Sequence, residues 1–244
     1  MVLGIAMMAA MLPTMIGLNE ATQGARDQDE NRRNTNRKQR CHLVATCSLD
    51  QGTPELRSQV HNAQVQVGLD RNVSVIVQRS QLVMHSLLTN HFWLDRLQLY
   101  ITKQPSSTMV PFNGGFFTHP NFKPNNTSGL VTITGEETPT LRWVFLDSKT
   151  HEMRWGGRPD TEGHTCGPFD WTKDEQYVTL EGWEGFLAVR LEQDDTREHV
   201  DQQLGIVDGR EVWRLYFDQN DDGADLPPNA KGLEIRLKRV MADS

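Results

Sequence analysis

Tyr177-Val178-Thr179-Leu180-Glu181-Gly182-Trp183-Glu184-Gly185-Phe186-Leu187-Ala188-Val189 decides the fold class of this chain. Two short apolar runs, Tyr177 to Leu180 and Phe186 to Leu191, flank a Glu-Gly-Trp-Glu-Gly insert whose glycines allow a tight bend or bulge around Trp183. Upstream, from Gly163, the same stretch holds Gly167-Pro168 and Trp171, so large rings pin the junctions between strands. The pattern is strand, turn and strand, built for packing. It contains no catalytic signature.

Working outward, the same period of two recurs along most of the chain. His42 to Cys47 alternates Leu43, Ala45 and Cys47 against His42, Val44 and Thr46. Gln64 to Leu69 and Val73 to Gln78 flank Asp70-Arg71-Asn72 and read as a hairpin, and Phe92 to Ile101 adds a further strand. Leu130 to Thr134 continues the pattern, and Leu141 to Asp147 is apolar on both faces, which suits a central strand. Asp147-Ser148-Lys149-Thr150 has turn chemistry, and its return strand alternates Met153 and Trp155 with Glu152 and Arg154, which predicts a more exposed strand. Trp213, Leu215 and Phe217 share one face, and Leu233, Ile235 and Leu237 alternate with Glu234, Arg236 and Lys238. About ten to twelve such strands, with a short helix near Gln81 to His91, predict a mainly β protein. The expected body is an antiparallel β-barrel or β-sandwich spanning residues 41–244, preceded by an N-terminal α-helix.

The first 40 residues form the other expected unit. Met1 to Leu18 carries no charged side chain and is broken by Pro13; residues 19–40 then hold six basic and four acidic groups. As a signal peptide the run lacks a preceding Lys or Arg, and as a membrane span it falls short of roughly 20 residues. Small residues at Ala6, Ala10, Thr14, Gly17, Ala21 and Ala25 allow close helix approach. The expected role of residues 1–25 is therefore self-association or docking on a membrane surface. Asn31 to Arg40 reads as a solvated, partly disordered basic linker.

Taking those charges from the chain's 25 basic and 32 acidic residues leaves 19 against 28, a net charge of −9 for residues 41–244. Such a body repels nucleic acid phosphate, so nucleic-acid binding is excluded from the expectations. Cys41, Cys47 and Cys166 are odd in number and sparse, which favours a reducing, cytoplasmic setting, membrane-associated or not, over secretion. Sequons at Asn72, Asn125 and Asn126 keep a secreted glycoprotein as an alternative.

Few residues suggest chemistry. Asp218-Gln219-Asn220-Asp221-Asp222-Gly223 matches the opening of a calcium loop, with Asp218, Asn220 and Asp222 as oxygen ligands, but Asn229 stands where a bidentate Glu belongs. A solvated acidic turn explains the same residues, and no other cofactor is expected. Pro111 to Pro120 reads as an aromatic, Gly- and Pro-rich loop. Phe112, Phe116, Phe117 and His119 could line the mouth of a small-molecule pocket, or the loop could cap the β body. His164 with Cys166, and Cys41-His42 with Cys47, match no zinc spacing. Asp170, Asp174, Glu175, Glu181 and Glu184 supply carboxylates whose default is a solvated face.

The opening Met1-Val2-Leu3-Gly4-Ile5 with Pro13 and Ile16-Gly17-Leu18-Asn19-Glu20-Ala21, then Gly167-Pro168-Phe169-Asp170-Trp171-Thr172, Leu180-Glu181-Gly182-Trp183-Glu184-Gly185-Phe186 and Trp213-Arg214-Leu215-Tyr216-Phe217-Asp218 resemble a family of uncharacterised proteins from filamentous fungi. The resemblance spans most of the chain. It implies that the N-terminal segment and the β body form one design, and it implies no activity, cofactor or catalytic residue. The expected function is a non-catalytic β-rich protein; the alternative is a cofactor-free binding protein or enzyme using a pocket in the β body.

Overall fold

The computed structural model describes residues 23–24, 26–68, 97–118, 127–135, 138–190, 211–226 and 230–242. The chain divides into two units, Met1–Gln39 and Arg40–Ser244.

In the first unit, residues 26–38 form helix α1, where the sequence predicted a partly disordered linker from Asn31. The reason lies in charge order rather than apolar period. Asp27, Asp29 and Glu30 precede the basic Arg32, Arg33, Arg37 and Lys38 along the helix, and Arg37 and Lys38 in its last turn complement the helix dipole. Arg32 pairs with Asp29 at 3.6 Å one turn away. Nearly all of α1 is exposed, so it is a polar helix without an apolar face. The predicted apolar helix over Met1 to Leu18 lies outside the described residues.

The second unit is built from thirteen described strands, one short α-helix and a 3-10 turn at Pro159–Thr161. These are β1 (Cys41–Thr46), β2 (Ala63–Gly68), β3 (Leu99–Thr102), β4 (Met109–Pro111), β5 (Gly114–Thr118), β6 (Ser128–Thr134) and β7 (Thr140–Leu146). They continue as β8 (Met153–Gly156), β9 (Phe169–Trp171), β10 (Val178–Leu180), β11 (Phe186–Arg190), β12 (Trp213–Phe217) and β13 (Lys231–Met241). Helix α2 (Pro54–Val60) begins on Thr53, whose hydroxyl accepts the Leu56 N–H. The turn Asp70 to Asn72, the helix near Gln81 to His91, and the sequon residues Asn72, Asn125 and Asn126 lie outside the described residues.

Six strands close a barrel in the order β1-β2-β3-β12-β11-β13, with β13 returning antiparallel to β1. The alternation has placed the predicted residues inward: Leu43, Ala45, Val65, Val67, Trp213, Leu215, Phe217, Leu233, Ile235 and Leu237 all join one buried core. Barrel and sandwich share the same period of two, so closure rests on pairing: Val44 and Ala45 of β1 meet Gln64 and Ala63 of β2.

Past that pairing β1 and β2 diverge, and the chain from β4 to β5 fills the wedge. Gln66 to Gly68 pair with Pro111 to Met109, while Cys41 pairs with Gly114. Phe112, at the crossing, is fully buried; its N–H bonds Val65 O at 2.9 Å and its carbonyl accepts His42 Nδ1 at 2.7 Å. Gly114 is required by close approach, since a Cβ there would lie 1.7 Å from the Val131 carbonyl oxygen. The predicted Pro111 to Pro120 loop is thus largely strand, because Gly114 to Thr118 pair residue by residue with β6.

From the wedge the meander β5-β6-β7-β8 leaves the barrel and comes back to it. Bridges join Gln98 to Arg154 and Glu152 to Tyr216, and Phe217 N–H bonds His151 O at 2.9 Å. This seam corrects the expectation for β8: the return strand is buried along its whole length, Glu152 and Arg154 included, because it is wedged against β12.

Candidate functional site

Three regions of the body carry residues worth testing for chemistry. The first is the seam. Asp147 Oδ1 accepts the turn amides of Lys149 and Thr150 at 2.9 and 3.3 Å, and its Oδ2 lies 3.3 Å from Arg154 Nε. Arg154 also grips Glu152 Oε2 with Nε at 3.1 Å and with Nη2, while Glu152 Oε1 accepts the Tyr216 hydroxyl at 2.9 Å. Thr150 adds a hydroxyl donor at 3.2 Å. All four of Asp147, Glu152, Arg154 and Tyr216 are less than a tenth exposed. Two carboxylates, one guanidinium and a phenol therefore satisfy one another, which is what buried charge requires. The sequence signal that could have revealed it was Glu152 and Arg154 on one face of a strand directly after a turn-forming Asp.

The second region joins the Trp183 turn to the acidic loop. Glu181 and Gly182 both have left-handed backbone, φ 55° and 80°, giving the mirror-image two-residue turn that suits a hairpin. Leu180 and Trp183 exchange backbone hydrogen bonds across it at 3.0 Å. Trp183 Nε1 donates to Asp218 O at 2.9 Å, and Gly185 lies so close to the indole that a Cβ there would fall 1.9 Å from Nε1. Gln219 Nε2 bonds Glu181 Oε2 at 2.7 Å. Asp218 is nearly buried and spends both carboxylate oxygens on its own loop, accepting the N–H of Asp222 at 3.1 Å and of Gly223 at 2.8 Å. Burial alone would push this carboxyl up, but the loop amides of Gly223, Asp222 and Ala224 hold it below the usual range. Asn220 and Asp222 are exposed. Among the described residues, no group of three or more His, Cys, Asp or Glu side chains is gathered as a metal site.

The remaining sequence candidates are dispersed. Glu184 pairs with Arg236, whose guanidinium stacks 3.7 Å from the Tyr177 ring, and Asp170 accepts the Trp171 N–H. His164 Nδ1 accepts Ser148 N–H at 3.3 Å, and Cys166 lies near backbone carbonyls. Burial pushes the Cys41 thiol up to about 11 against the pull of Arg239, and burial raises Cys47 and Cys166 as well. Raised thiols are poor nucleophiles.

The third region is the outer face of the meander. Phe116 points inward, edge-on to Trp171 at 4.6 Å, whereas Phe117 points outward to meet Trp143 at 5.6 Å. Phe112 belongs to the core, and His119 lies outside the described residues. Register places Gly115, Phe117, Gly129, Val131, Ile133, Trp143 and Leu141 on this one outer face, with no charge among them. Phe117 is 44% and Leu141 53% exposed, Ile133 and Trp143 are half-buried, and Gly115, Gly129 and Val131 are buried. Trp143 lies over Gly129, where a Cβ would sit 2.8 Å from the ring.

A closed six-stranded antiparallel barrel with appended hairpins defines an all-β body of barrel type. A family model described as "Fungal beta-trefoil domain" matches residues 17–243, in keeping with the fungal resemblance of the sequence motifs. The chain belongs to the fungal beta-trefoil domain family. No curated protein and no solved structure matches it.

Proposed function

We propose that the protein is a non-catalytic β-trefoil scaffold that self-associates through its apolar N-terminal segment. The observation that carries this reading is the state of the ionisable groups in the body: Asp147, Glu152, Arg154 and Asp218 spend their polar atoms on protein partners. Catalytic acids, bases and nucleophiles need the opposite, a group held ready for substrate. The three free thiols, with their affinity for protons raised, support the same reading and a reducing compartment. Helix α1, polar on all sides, suits a spacer between the uncharged segment and the body. Self-association is favoured over lipid docking because the body's net charge of −9 repels anionic headgroups.

Sedimentation of the full-length protein beside a variant lacking residues 1–22 tests it. Concentration-dependent association lost on deletion is expected; a full-length monomer at all concentrations, or one that pellets with neutral vesicles, would overturn it. Small-molecule binding is the second reading, favoured by two buried amide atoms without partners, Gln66 Oε1 on β2 and Gln98 Nε2 just before β3. A thermal-shift screen of polar metabolites, repeated on Gln98→Leu, tests that reading separately.

A further inference from the structure

We propose that Arg142, Trp155 and Thr132 form a binding site for the carboxylate group of a small organic acid, on the inner face of the meander beside Gly157; the proposal is independent of the self-association reading. Register brings the three together. Arg142 alternates with Val144, and Val144 pairs with Trp155, so Arg142 and Trp155 share one face as diagonal neighbours on β7 and β8. Thr132 of β6 lies directly opposite Arg142. Two of these residues carry orphaned donors: Arg142 Nε and Trp155 Nε1 are buried without a hydrogen-bond partner, and Trp155 is only 6% exposed. Both groups can only donate. What completes the pair is therefore an acceptor, and the guanidinium favours an anionic one. Asp160, close to the same glycine, does not supply it, because its Oδ2 accepts the Gly157 N–H at 2.8 Å. The Thr132 hydroxyl makes only long contacts, 3.4 and 3.5 Å, with the Asn113 backbone, which leaves it able to add a third bond.

Gly157, one step past the last paired residue of β8, leaves Arg142 open on one side. Its φ is not left-handed, and a Cβ there would make only ordinary contacts, 3.4 Å to Arg142 Nη1 and 3.5 Å to Asp160 Oδ2. Neither backbone conformation nor close approach accounts for a glycine at this position. The neighbouring wall is apolar, with Trp155, Val144 and Leu130 all in the buried core. A phosphate would turn its further oxygens onto that wall unpaired, whereas a monocarboxylate presents two acceptors and an apolar body.

The test is calorimetric titration of the full-length protein with benzoate, butyrate, neutral benzamide and inorganic phosphate, followed in parallel by the tryptophan indole N–H signals in proton–nitrogen spectra. The expected result is saturable binding of at least one carboxylate, with a shift of the Trp155 indole signal, which is assigned by its absence from Trp155→Phe. Arg142→Met should weaken that binding by about tenfold or more, from loss of a charge-assisted bond. Gly157→Val, which fills the space beside Arg142 and leaves every donor in place, should weaken it as well, and this keeps the test decisive if Arg142→Met does not fold. No saturable binding of either carboxylate overturns the proposal. So does benzamide or phosphate binding as tightly, a Trp155 signal that stays in place on binding, or an unchanged affinity in a folded Arg142→Met.

Discussion

The seam between β8 and β12 and the outer face of β5–β7 invert the usual arrangement in opposite senses. At the seam, Glu152, Arg154 and Asp147 are charged and buried; on the face, Phe117 and Leu141 are apolar and exposed. Both lie on the same meander, and both depart from the rule that alternating strands put apolar residues in and polar residues out. The difference is closure. Where the meander returns to the barrel, charge is tolerated because each group meets a fixed partner, and the network locks β8 in place. On the outer face of β5–β7, Phe117 and Leu141 stay about half exposed, whereas Gly115, Gly129 and Val131 on the same face are buried.

Substitutions at the seam, at the Trp183 turn with its acidic loop and on the outer face should rank their contributions to stability. The largest effect is expected for Arg154→Met, which strands two buried carboxylates and should cost about 3–5 kcal/mol by urea denaturation. Gly185→Ala forces the Trp183 indole off Asp218 O and should cost about 1–3 kcal/mol, with a red-shifted tryptophan fluorescence. Tyr216→Phe removes one donor to Glu152 and should cost about 1.5–2 kcal/mol, which sharpens the seam's share of stability.

Asp218→Ala should cost about 1 kcal/mol through the lost loop hydrogen bonds. Its pH dependence has a definite sign. The folded carboxyl titrates below the unfolded one, so its stabilisation is complete above the ordinary Asp value and is lost as pH falls through the folded value. Asp218→Asn should therefore flatten that part of the acid limb, while millimolar calcium leaves the wild-type midpoint where it was, because both oxygens already accept amides. The smallest effect on stability, within about 0.5 kcal/mol, is expected for Leu141→Glu.

Local order was legible in the sequence wherever one face meets the core. Leu233, Ile235 and Leu237 announce β13, and Glu181-Gly182 announces a tight hairpin turn. Closure was not legible, because Val44 and Ala45 reaching Gln64 and Ala63 is a matter of register between distant segments. The same blindness hid the seam: a strand reading Glu152, Met153, Arg154 looks half-wet until β12 covers its polar face. An N-terminal α-helix ahead of the β body was expected and α1 is one, but its place at residues 26–38 was not legible, because its support comes from charge order, to which hydrophobic periodicity is insensitive. Of the proposed site residues, Phe112 and Asp218 became structural contacts visible only in three dimensions, while Phe117 stayed on the surface.

The most direct test is sedimentation velocity on the full-length protein and on a variant lacking residues 1–22 over a range of concentrations. A full-length protein that associates as concentration rises, beside a variant that stays monomeric, is the predicted result. Identical sedimentation of the two proteins would contradict it, because the N-terminal segment would then have no part in association.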